Sequence, residues 1–306
     1  MARSKKSFVI DGATYVLYSI AWRSFRMLPK DTAYQFAELF GRYLVKRNIK
    51  QVRRLRSNLA RVKPELSSEN LEELVKAGME SYMRYWCDTF RFSDWDKTSI
   101  QKNVEVIHGE YFYEPLNSGK GLIVSLPHAG NWDHAGAYFC SQGYELVTVA
   151  EHLKPDRLFR KFLAHRQRMG MEVLDLDNRV SAILAQRLRA GKLVALVADR
   201  DLSQSGIDVK FFDGIARMPA GPAVLALQTG VSLITAFTSY TDNGLRIEFD
   251  KPIPIPHGAR EEQIRLMTQE CADRFASHIS LHPTDWHMLQ RIWVDGDFRE
   301  RTMSTE

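Results

Sequence analysis

Short apolar runs alternate with stretches of helical periodicity from about residue 100 onwards. The run Leu122–Leu126 is apolar along nearly its whole length, which is typical of a strand buried on both faces of a sheet. Further strands are predicted at Val104–His108, Glu145–Ala150, Glu172–Leu176, Leu193–Ala198, Val231–Ser239 and Leu245–Phe249. Helices are predicted near residues 132–142, 155–169, 179–190, 220–229 and 260–281. This alternation predicts an α/β fold with a mostly parallel central sheet flanked by helices.

The first hundred residues carry helical patterns instead. One helix is predicted over Gly12–Met27, a second from its N-cap Asp31, and a third over residues 68–91. The second helix carries on one face, at helical spacing, Ala33, Phe36, Ala37, Phe40 and Leu44. The sequence has no internal repeat and no linker-like segment. It therefore predicts an N-terminal helical extension, residues 1–100, and a catalytic core, residues 101–306, that folds as a single unit.

A basic segment follows the second helix, with eight Lys and Arg residues and no acidic residue between Lys46 and Lys63. Such a segment suits an anionic membrane surface, a nucleic-acid backbone or an ordinary solvated helix face. The apolar helix Gly12–Met27 favours the membrane, because binding to nucleic acid does not need it. Its uncharged part, residues 12–22, is shorter than the roughly 20 residues that span a bilayer. We therefore expect a peripheral protein that does not bind nucleic acid and contacts an anionic membrane through Tyr15, Tyr18, Trp22, Arg53, Arg54 and Arg56.

Several kinds of site are excluded by motifs that the sequence lacks. The three cysteines are widely separated and form no Cys-x-x-Cys pair, so we expect a reducing compartment and no structural zinc site. The chain has no Gly-x-Ser-x-Gly, no P-loop and no complete Gly-x-Gly-x-x-Gly. His282, Asp285 and His287 lie close together beside Pro283 and Trp286, which predicts a packed turn rather than a metal site.

One His and one Asp lie just beyond the carboxyl end of the buried strand Leu122–Leu126, where open α/β sheets bind their ligands. Four residues separate His128 from Asp133, and Ala-Gly-Asn can form a tight turn between them. The carboxylate could then fix the imidazole tautomer and leave the other ring nitrogen as a general base. The alternative is a helix-capping Asp and a buried, satisfied His, and the spacing by itself favours this alternative.

Other polar residues are expected at the same edge of the sheet. Glu151 follows a predicted strand, and Arg166 on the next helix could pair with Glu151 or with a charge of the substrate. Asp199 and the two residues after it follow the strand Leu193–Ala198. Each of these residues alone is typical of a structural ion pair, but together they form a polar cluster at strand ends. The predicted substrate-binding residues are Glu151, Arg166, Arg200, Asp201 and Gly221.

The ordered set of motifs resembles known acyltransferases along essentially the whole chain. The loop Pro127–Asp133 resembles the His-x-x-x-x-Asp motif of glycerolipid and lipid A acyltransferases. Five segments resemble the bacterial lysophospholipid and lipid A acyltransferase superfamily: 56–62 (RSNLARV), 197–202 (VADRDL), 209–214 (VKFFDG), 219–222 (PAGP) and Leu225–Ala226. Two more, 149–155 (VAEHLKP) and 285–290 (DWHMLQ), resemble the actinobacterial phosphatidylinositol mannoside acyltransferases. The His-x-x-x-x-Asp motif alone is weak, but the ordered set is specific.

The resemblance implies a core like that of glycerol-3-phosphate acyltransferases, without a metal or cofactor and with acyl-CoA as co-substrate. It implies transfer of a fatty acyl chain, palmitoyl for example, to a mannose hydroxyl of a phosphatidylinositol mannoside at the cytoplasmic face of the plasma membrane. His128 would be the general base without a covalent acyl-enzyme, and the carboxylate that orients it would be Asp133 or Asp199. Gly221 would lie beside the acyl channel, where it allows close backbone approach or caps a helix. The alternatives are a lipid A or lysophospholipid acyltransferase and a non-catalytic membrane-binding protein on the same fold.

Overall fold

The structure is a computed structural model that describes residues 5–150, 155–176, 179–201, 203 and 205–296. The strands, in chain order, are β1 (Val104–Ile107), β2 (Leu122–Leu126), β3 (Leu146–Ala150), β4 (Glu172–Asp175), β5 (Leu193–Val197), β6 (Ile207–Phe211), β7 (Gly214–Met218), β8 (Leu233–Tyr240) and β9 (Leu245–Phe249). The helices are α1 (Lys5–Met27), α2 (Lys30–Lys46), α3 (Lys50–Val62), α4 (Ser68–Arg91), α5 (Lys97–Gln101), α6 (Glu110–Asn117), α7 (Trp132–Ser141), α8 (Asp156–Arg168), α9 (Val180–Arg189), α10 (Gly221–Thr229) and α11 (Arg260–Leu281).

The central sheet confirms the predicted fold class. Within the described ranges, seven strands form it in the order β1-β9-β8-β2-β5-β3-β4. Neighbouring strands are parallel except β8 and β9, which form an antiparallel pair. β2 lies between β5 and β8, so the carboxyl ends of β2 and β5 meet at one edge of the sheet. Residues that follow these two strands are therefore neighbours, although more than 60 residues separate them in sequence.

Helices cover both faces of the sheet because the central strands are apolar on both sides. Every residue of β2 is buried. Leu122, Val124 and Leu126 pack in the cluster that contains residues of α6 and α7, such as Phe112 and Phe139. Residues of the opposite face pack in the cluster formed with α9, α10 and α11. Two hydrophobic layers therefore enclose the two faces of the sheet.

The predicted N-terminal helical extension is also confirmed, but its faces are arranged differently from the prediction. α2 packs against α4 through Ala33, Ala37 and Gly41, which are all buried. A Cβ at Gly41 would lie 3.2 Å from the carbonyl oxygen of Met79, so the two backbones approach closely. The bulky side chains of α2 are exposed instead: Phe36, Leu39, Phe40 and Tyr43. The sequence pattern placed Phe36 and Phe40 on the same face as the alanines, whereas the contact with α4 is formed by the small residues together with half-buried Tyr34 and Leu44.

The prediction that Trp22 contacts a membrane is wrong. Trp22 is only 3% exposed and packs against Phe90 of α4 and against Phe162 and His165 of α8. Tyr18 and Tyr15 are half-buried, and the Tyr18 ring packs edge-on against Trp86 of α4. Aromatic side chains on α1 thus attach this helix to the protein, because α4 and α8 offer an apolar surface. None of the helices in the described part of the chain is long and apolar enough to cross a membrane.

The basic segment after α2 is only partly free of ion pairs. Arg56 donates from Nη2 to Oε2 of Glu72 at 2.9 Å, so its charge is already paired. Arg53 is exposed and donates from Nη1 to the carbonyl oxygen of Asn48, while Arg54 is half-buried. Of the three arginines predicted to contact a membrane, Arg53, Arg54 and Arg56, Arg56 has the least available charge because Glu72 already pairs with it.

The sequence patterns did not predict α3, α5, α6 or the hairpin β6–β7. β6 and β7 form a separate two-stranded antiparallel sheet. Their loop is Phe212–Asp213, with Phe212 at φ +52°, so the Asp-Gly dipeptide of this segment, Asp213-Gly214, lies one position later than in a standard two-residue turn. β6 alternates apolar and polar residues over only five positions, and β7 (GIARM) alternates in burial but not in residue type, so neither strand has an extended periodic pattern.

Candidate active site

The loop between β2 and α7 presents His128 at the carboxyl edge of the sheet. Asn131 caps α7, because its side-chain oxygen accepts a hydrogen bond from the backbone N–H of His134 at 2.9 Å. Gly130 has φ +51°, and a Cβ there would lie 2.6 Å from the carbonyl oxygen of Thr238. Only glycine fits such a position without strain. The turn is therefore compact, and it holds His128 against the ends of the neighbouring strands.

Asp199, not Asp133, is the carboxylate that contacts His128. The residue follows β5, is fully buried, and its Oδ1 lies 2.6 Å from Nδ1 of His128. Its Oδ2 accepts hydrogen bonds at 3.0 Å from the backbone N–H of His128 and from the indole N–H of Trp286. Burial by itself would raise the pKa of Asp199, but the His128 imidazole and these hydrogen bonds hold the pKa below its ordinary value.

The ionised carboxylate determines which ring nitrogen carries the proton. Because Asp199 can only accept, Nδ1 of His128 donates to it, and Nε2 is left with its lone pair. Nε2 has no hydrogen-bond partner among the described residues, and the His128 side chain is 26% exposed. The arrangement has the geometry of an oriented general base.

Asp133 lies elsewhere, where its buried carboxylate forms an ion pair with half-buried Arg166. Its Oδ1 accepts from Nε of Arg166 at 2.7 Å, and its Oδ2 accepts from Nη2 at 3.2 Å and from the Tyr85 hydroxyl at 3.0 Å. Asp133 occupies the first turn of α7, where its side chain meets α8 and α4 instead of returning to the imidazole. The expectation that the tight turn brings Asp133 back to His128 is therefore wrong, and Arg166 pairs with Asp133. Glu151 lies outside the described residues.

The other predicted substrate-binding residues are Arg200, Asp201 and Gly221, and the structure gives their surroundings but, among the described residues, no hydrogen bond with His128. Burial lowers the pKa of Arg200, which follows Asp199. Asp201 hydrogen-bonds within its own loop, since its Oδ1 accepts from the backbone N–H of Ser203 at 2.7 Å. Gly221 begins α10 and is exposed, and no atom lies within 4 Å of a Cβ built there. A close backbone approach at Gly221 is therefore not seen among the described residues.

The C-terminal segment builds one side of the site, and no role had been predicted for it. Gly130 donates its backbone N–H to the carbonyl oxygen of Asp285, and His287 donates to that of His128, both at 2.8 Å. Asp285 also accepts from the hydroxyl of Ser81 at 2.6 Å, as expected for a packed turn. Among the described residues, no group of three or more His, Cys, Asp or Glu is placed to hold a metal ion. The motif 285–290 was noted in the sequence only as a resemblance to known acyltransferases, and it did not indicate a contact with the loop that carries His128.

One face of α4 holds the loop from the side of the N-terminal extension. Three polar residues at positions i, i+4 and i+7 form this face: Ser81, Tyr85 and Asp88. They hydrogen-bond, in that order, Asp285, Asp133 and Asn131. The extension is thus part of the site, because the residues on both sides of His128 depend on α4 for their partners.

An apolar pocket lies beside the site, between the sheet and α7. Its volume, with the opening to solvent, is about 660 Å³. Apolar residues of β2 and β5 line one side, Gly136 and Phe139 of α7 line the other, and the Asp133–Arg166 pair provides the charges. Trp132 lines the pocket and also contacts the His128 ring edge-on, with 5.4 Å between ring centroids. The base and the apolar pocket therefore share a wall.

Comparisons with known proteins identify the family of this chain. Residues 1–295 match the family described as bacterial lipid A biosynthesis acyltransferase. A phosphatidylinositol mannoside acyltransferase of Mycolicibacterium smegmatis is 35% identical over 280 residues, which are 90% of this chain and 90% of that protein. A protein of the same name from Mycobacterium tuberculosis is 33% identical over 299 residues, 96% of this chain and 93% of its own length. The chain therefore belongs to the bacterial lipid A biosynthesis acyltransferase family, and it is an acyltransferase.

Proposed function

We propose that this protein transfers a fatty acyl group, palmitoyl for example, from acyl-CoA to a mannose hydroxyl of a phosphatidylinositol mannoside. The acceptor is suggested by the names of its mycobacterial relatives. The observation that carries the mechanism is the 2.6 Å contact between Nδ1 of His128 and buried Asp199, which leaves Nε2 available beside an apolar pocket. Acyl-CoA is a co-substrate in this proposal, and no metal or other cofactor takes part.

The reaction needs one base and no covalent acyl-enzyme. Nε2 of His128 takes the proton of the sugar hydroxyl while the oxygen attacks the thioester carbonyl. The C–S bond then breaks, and the imidazolium returns its proton to the CoA thiolate. Asp199 stabilises the imidazolium and keeps the ring in the required tautomer. A base positioned in this way contributes about 10²- to 10⁴-fold to the rate.

The apolar pocket suits the acyl chain of the donor. Each methylene that leaves water contributes roughly 0.8 kcal/mol, so a long chain gains affinity from an apolar lining. The wall shared by the pocket and His128 would bring the thioester to the base.

Arg166 is our candidate for the group that stabilises the oxyanion. The backbone N–H groups of His128, Ala129 and Gly130 already donate to Asp199, Pro127 and Asp285. The loop therefore cannot offer these three donors without rearrangement. Arg166 lines the pocket and carries a half-buried positive charge that Asp133 fixes in place.

Product analysis by mass spectrometry with a panel of acceptors tests the proposal. Palmitoyl-CoA is incubated with phosphatidylinositol mannosides, a lipid A precursor or a lysophospholipid, and free CoA is measured in parallel. We expect acylated mannoside as the main product and no product with the variant His128→Ala. Acylation of lipid A or of the lysophospholipid alone would transfer the function to that acceptor. A His128→Ala variant as active as the wild type would refute the mechanism, and a wild-type protein without product would favour a non-catalytic role.

We further propose that the protein contacts an anionic membrane through the outer faces of α1 and α2, at the cytoplasmic face of the plasma membrane. The exposed apolar residues there, named the outer face below, are Val16, Leu17, Ile20, Phe36, Leu39, Phe40 and Tyr43. The end of α2 and the start of α3 add the exposed basic residues Lys46, Arg47, Lys50 and Arg53. An apolar face beside basic residues is the pattern of a helix at a membrane surface.

Vesicle binding tests the membrane proposal. The variant Phe36→Ser/Phe40→Ser should bind vesicles of phosphatidylcholine and phosphatidylinositol less than the wild type, because it removes apolar area from the outer face. Leu281→Ser is the matched control, since Leu281 is 72% exposed at the end of α11. Charge reversal at Arg47 and Arg53 should weaken binding most at low salt, where screening is least. Equal binding of all variants would place the membrane contact elsewhere.

A further inference from the structure

The geometry points to Trp286 as a positioning residue: its indole N–H fixes the carboxylate of Asp199 in the orientation that aligns His128. This inference rests on the proposed role of His128 as the base. The indole nitrogen donates to Oδ2 of Asp199 at 3.0 Å, while Oδ1 of the same carboxylate meets the imidazole. The carboxylate is thus held at both oxygens, and rotation about its Cβ–Cγ bond would break the contacts together.

The indole itself is rigidly anchored. Trp286 is fully buried, and its backbone forms an antiparallel bridge with Ala129 in the loop that carries His128. Its ring packs against Phe211 and Phe212 of the β6–β7 hairpin, with centroid distances of 5.8 and 6.4 Å. Because the indole of Trp286 is held on several sides, the carboxylate of Asp199 adopts the orientation that this N–H requires. Trp286 therefore connects the hairpin, the base loop and the end of β5 in one set of contacts.

Only one other donor reaches Oδ2 among the described residues, the backbone N–H of His128 itself. That donor lies on the loop which Asp199 is meant to orient, so it cannot fix the carboxylate independently. Trp286 lies outside this loop, so its N–H can fix the carboxylate independently of His128. Loss of a hydrogen bond to a buried charged group should lower kcat by about 10- to 100-fold. Trp286 does not line the apolar pocket, so we expect KM for acyl-CoA to change little.

Trp293 offers a matched control within the same C-terminal segment. It is 1% exposed, and its indole N–H donates to Oδ1 of Asn58 at 2.8 Å instead of to Asp199. It also packs against Phe211, at a centroid distance of 5.8 Å. Trp293→Phe therefore removes the same volume and a buried indole hydrogen bond, as Trp286→Phe does, but its acceptor is a neutral amide and the carboxylate of Asp199 is not touched.

The experiment compares kcat, KM and their pH dependence for wild type, Trp286→Phe and Trp293→Phe, with palmitoyl-CoA and the preferred acceptor. Trp286→Phe should lower kcat with little change in KM. The lost donor is one of the contacts that hold the pKa of Asp199 down, so its loss raises that pKa. The acidic limb of the kcat profile reports protonation of the base, and a carboxylate that has lost this donor holds the protonated imidazole more strongly, so the limb should move to higher pH in Trp286→Phe and stay in place in Trp293→Phe. Equal kcat values and equal acidic limbs in the two variants would overturn the inference.

A second variant removes only the donor. Replacing Trp286 by 3-benzothienylalanine keeps the bicyclic shape but exchanges the N–H for sulfur, so folding is preserved even if phenylalanine leaves a harmful cavity. The downfield proton resonance of the His128–Asp199 hydrogen bond is the readout, which does not depend on turnover. The signal should shift or broaden in this variant, and an unchanged signal would refute the positioning role. If the wild type shows the signal but transfers no acyl group, the proposed function fails while the positioning role is still tested.

Discussion

Replacing Asp199 by Asn should abolish catalysis through the tautomer of His128 and leave most of the fold intact. The side chain of Asn is nearly isosteric with that of Asp but carries one acceptor oxygen and one NH₂ donor. Two N–H donors, from the His128 backbone and from Trp286, point at the position of Oδ2. The amide oxygen is therefore expected there, and the NH₂ group then faces Nδ1.

A donor opposite Nδ1 makes that nitrogen the acceptor and moves the ring proton to Nε2. The nitrogen that should take the substrate proton is then occupied. The corresponding Asp-to-Asn change in a serine-protease triad lowers kcat by about 10⁴-fold. Since each tenfold loss is about 1.36 kcal/mol, this corresponds to roughly 5.4 kcal/mol of lost transition-state stabilisation. We expect a loss of the same order for Asp199→Asn.

Asp133→Asn is the comparison that separates catalysis from stability. This change leaves the half-buried guanidinium of Arg166 without its carboxylate. Such a loss costs about 3–5 kcal/mol of folding free energy for a fully buried pair, and less is expected here because the Arg166 side chain is 24% exposed. The His128 tautomer is untouched, so kcat of the folded variant should fall less than in Asp199→Asn. The unfolding transition should instead move to a clearly lower temperature or urea concentration.

The assay is CoA release at saturating palmitoyl-CoA, together with urea unfolding of each variant. Rates are compared at a temperature where both variants are folded by circular dichroism. A lower kcat for Asp133→Asn than for Asp199→Asn would give the larger catalytic role to the Asp133–Arg166 pair and contradict the tautomer argument. A kcat for Asp199→Asn within about tenfold of the wild type would refute the tautomer argument, since a positioned general base contributes at least about 10²-fold to the rate.

Three further outcomes are expected. Gly136→Ala should lower kcat/KM for palmitoyl-CoA more than for octanoyl-CoA, because a Cβ there lies 2.6 Å from the end of the Met171 side chain at the pocket; equal losses would contradict this. Gly130→Ala should unfold at lower urea concentration and lose activity, since its Cβ would clash with a backbone carbonyl of β8; a normal variant would exclude that strain. Burial lowers the pKa of His278 but Asp250 raises it above its ordinary value, so their pair stabilises the fold below about pH 6.5 and less as pH rises through the raised pKa. The stability difference between wild type and Asp250→Asn should therefore shrink from about pH 6 to about pH 9, and a constant difference would refute the pairing.

The site could be located from the sequence, but its contacts could not. The run Leu122–Leu126 identified a buried strand, and the rule for open α/β sheets placed His128 beyond its carboxyl end. The choice between Asp133 and Asp199 remained open, because spacing does not give the direction of a side chain. Asp133 is nearer in sequence, but it lies in the first turn of α7 and points to Arg166.

Helical periodicity had a similar limit in the N-terminal extension. It predicted that the first two segments are helices, and they are. It did not show which face is buried, because α4 and α8 bury Trp22 while α2 buries its small residues and exposes Phe36 and Phe40. Apolarity alone does not distinguish a face that packs against protein from one that is available to a membrane.

Elements that depend on neighbours along the chain could be read from the residues alone: the strands of the central sheet, most helices, and the turn that follows β2. These follow from side-chain periods of 2.0 and 3.6 residues, which are local properties of the backbone. The distant residues that complete the base became known only from the folded chain. Asp199 and Trp286 are 71 and 158 positions from His128, and they reach it because β5 lies beside β2 and the C-terminal segment pairs with the loop. Strand order and long-range packing set such contacts, and neither leaves a periodic signal in the sequence.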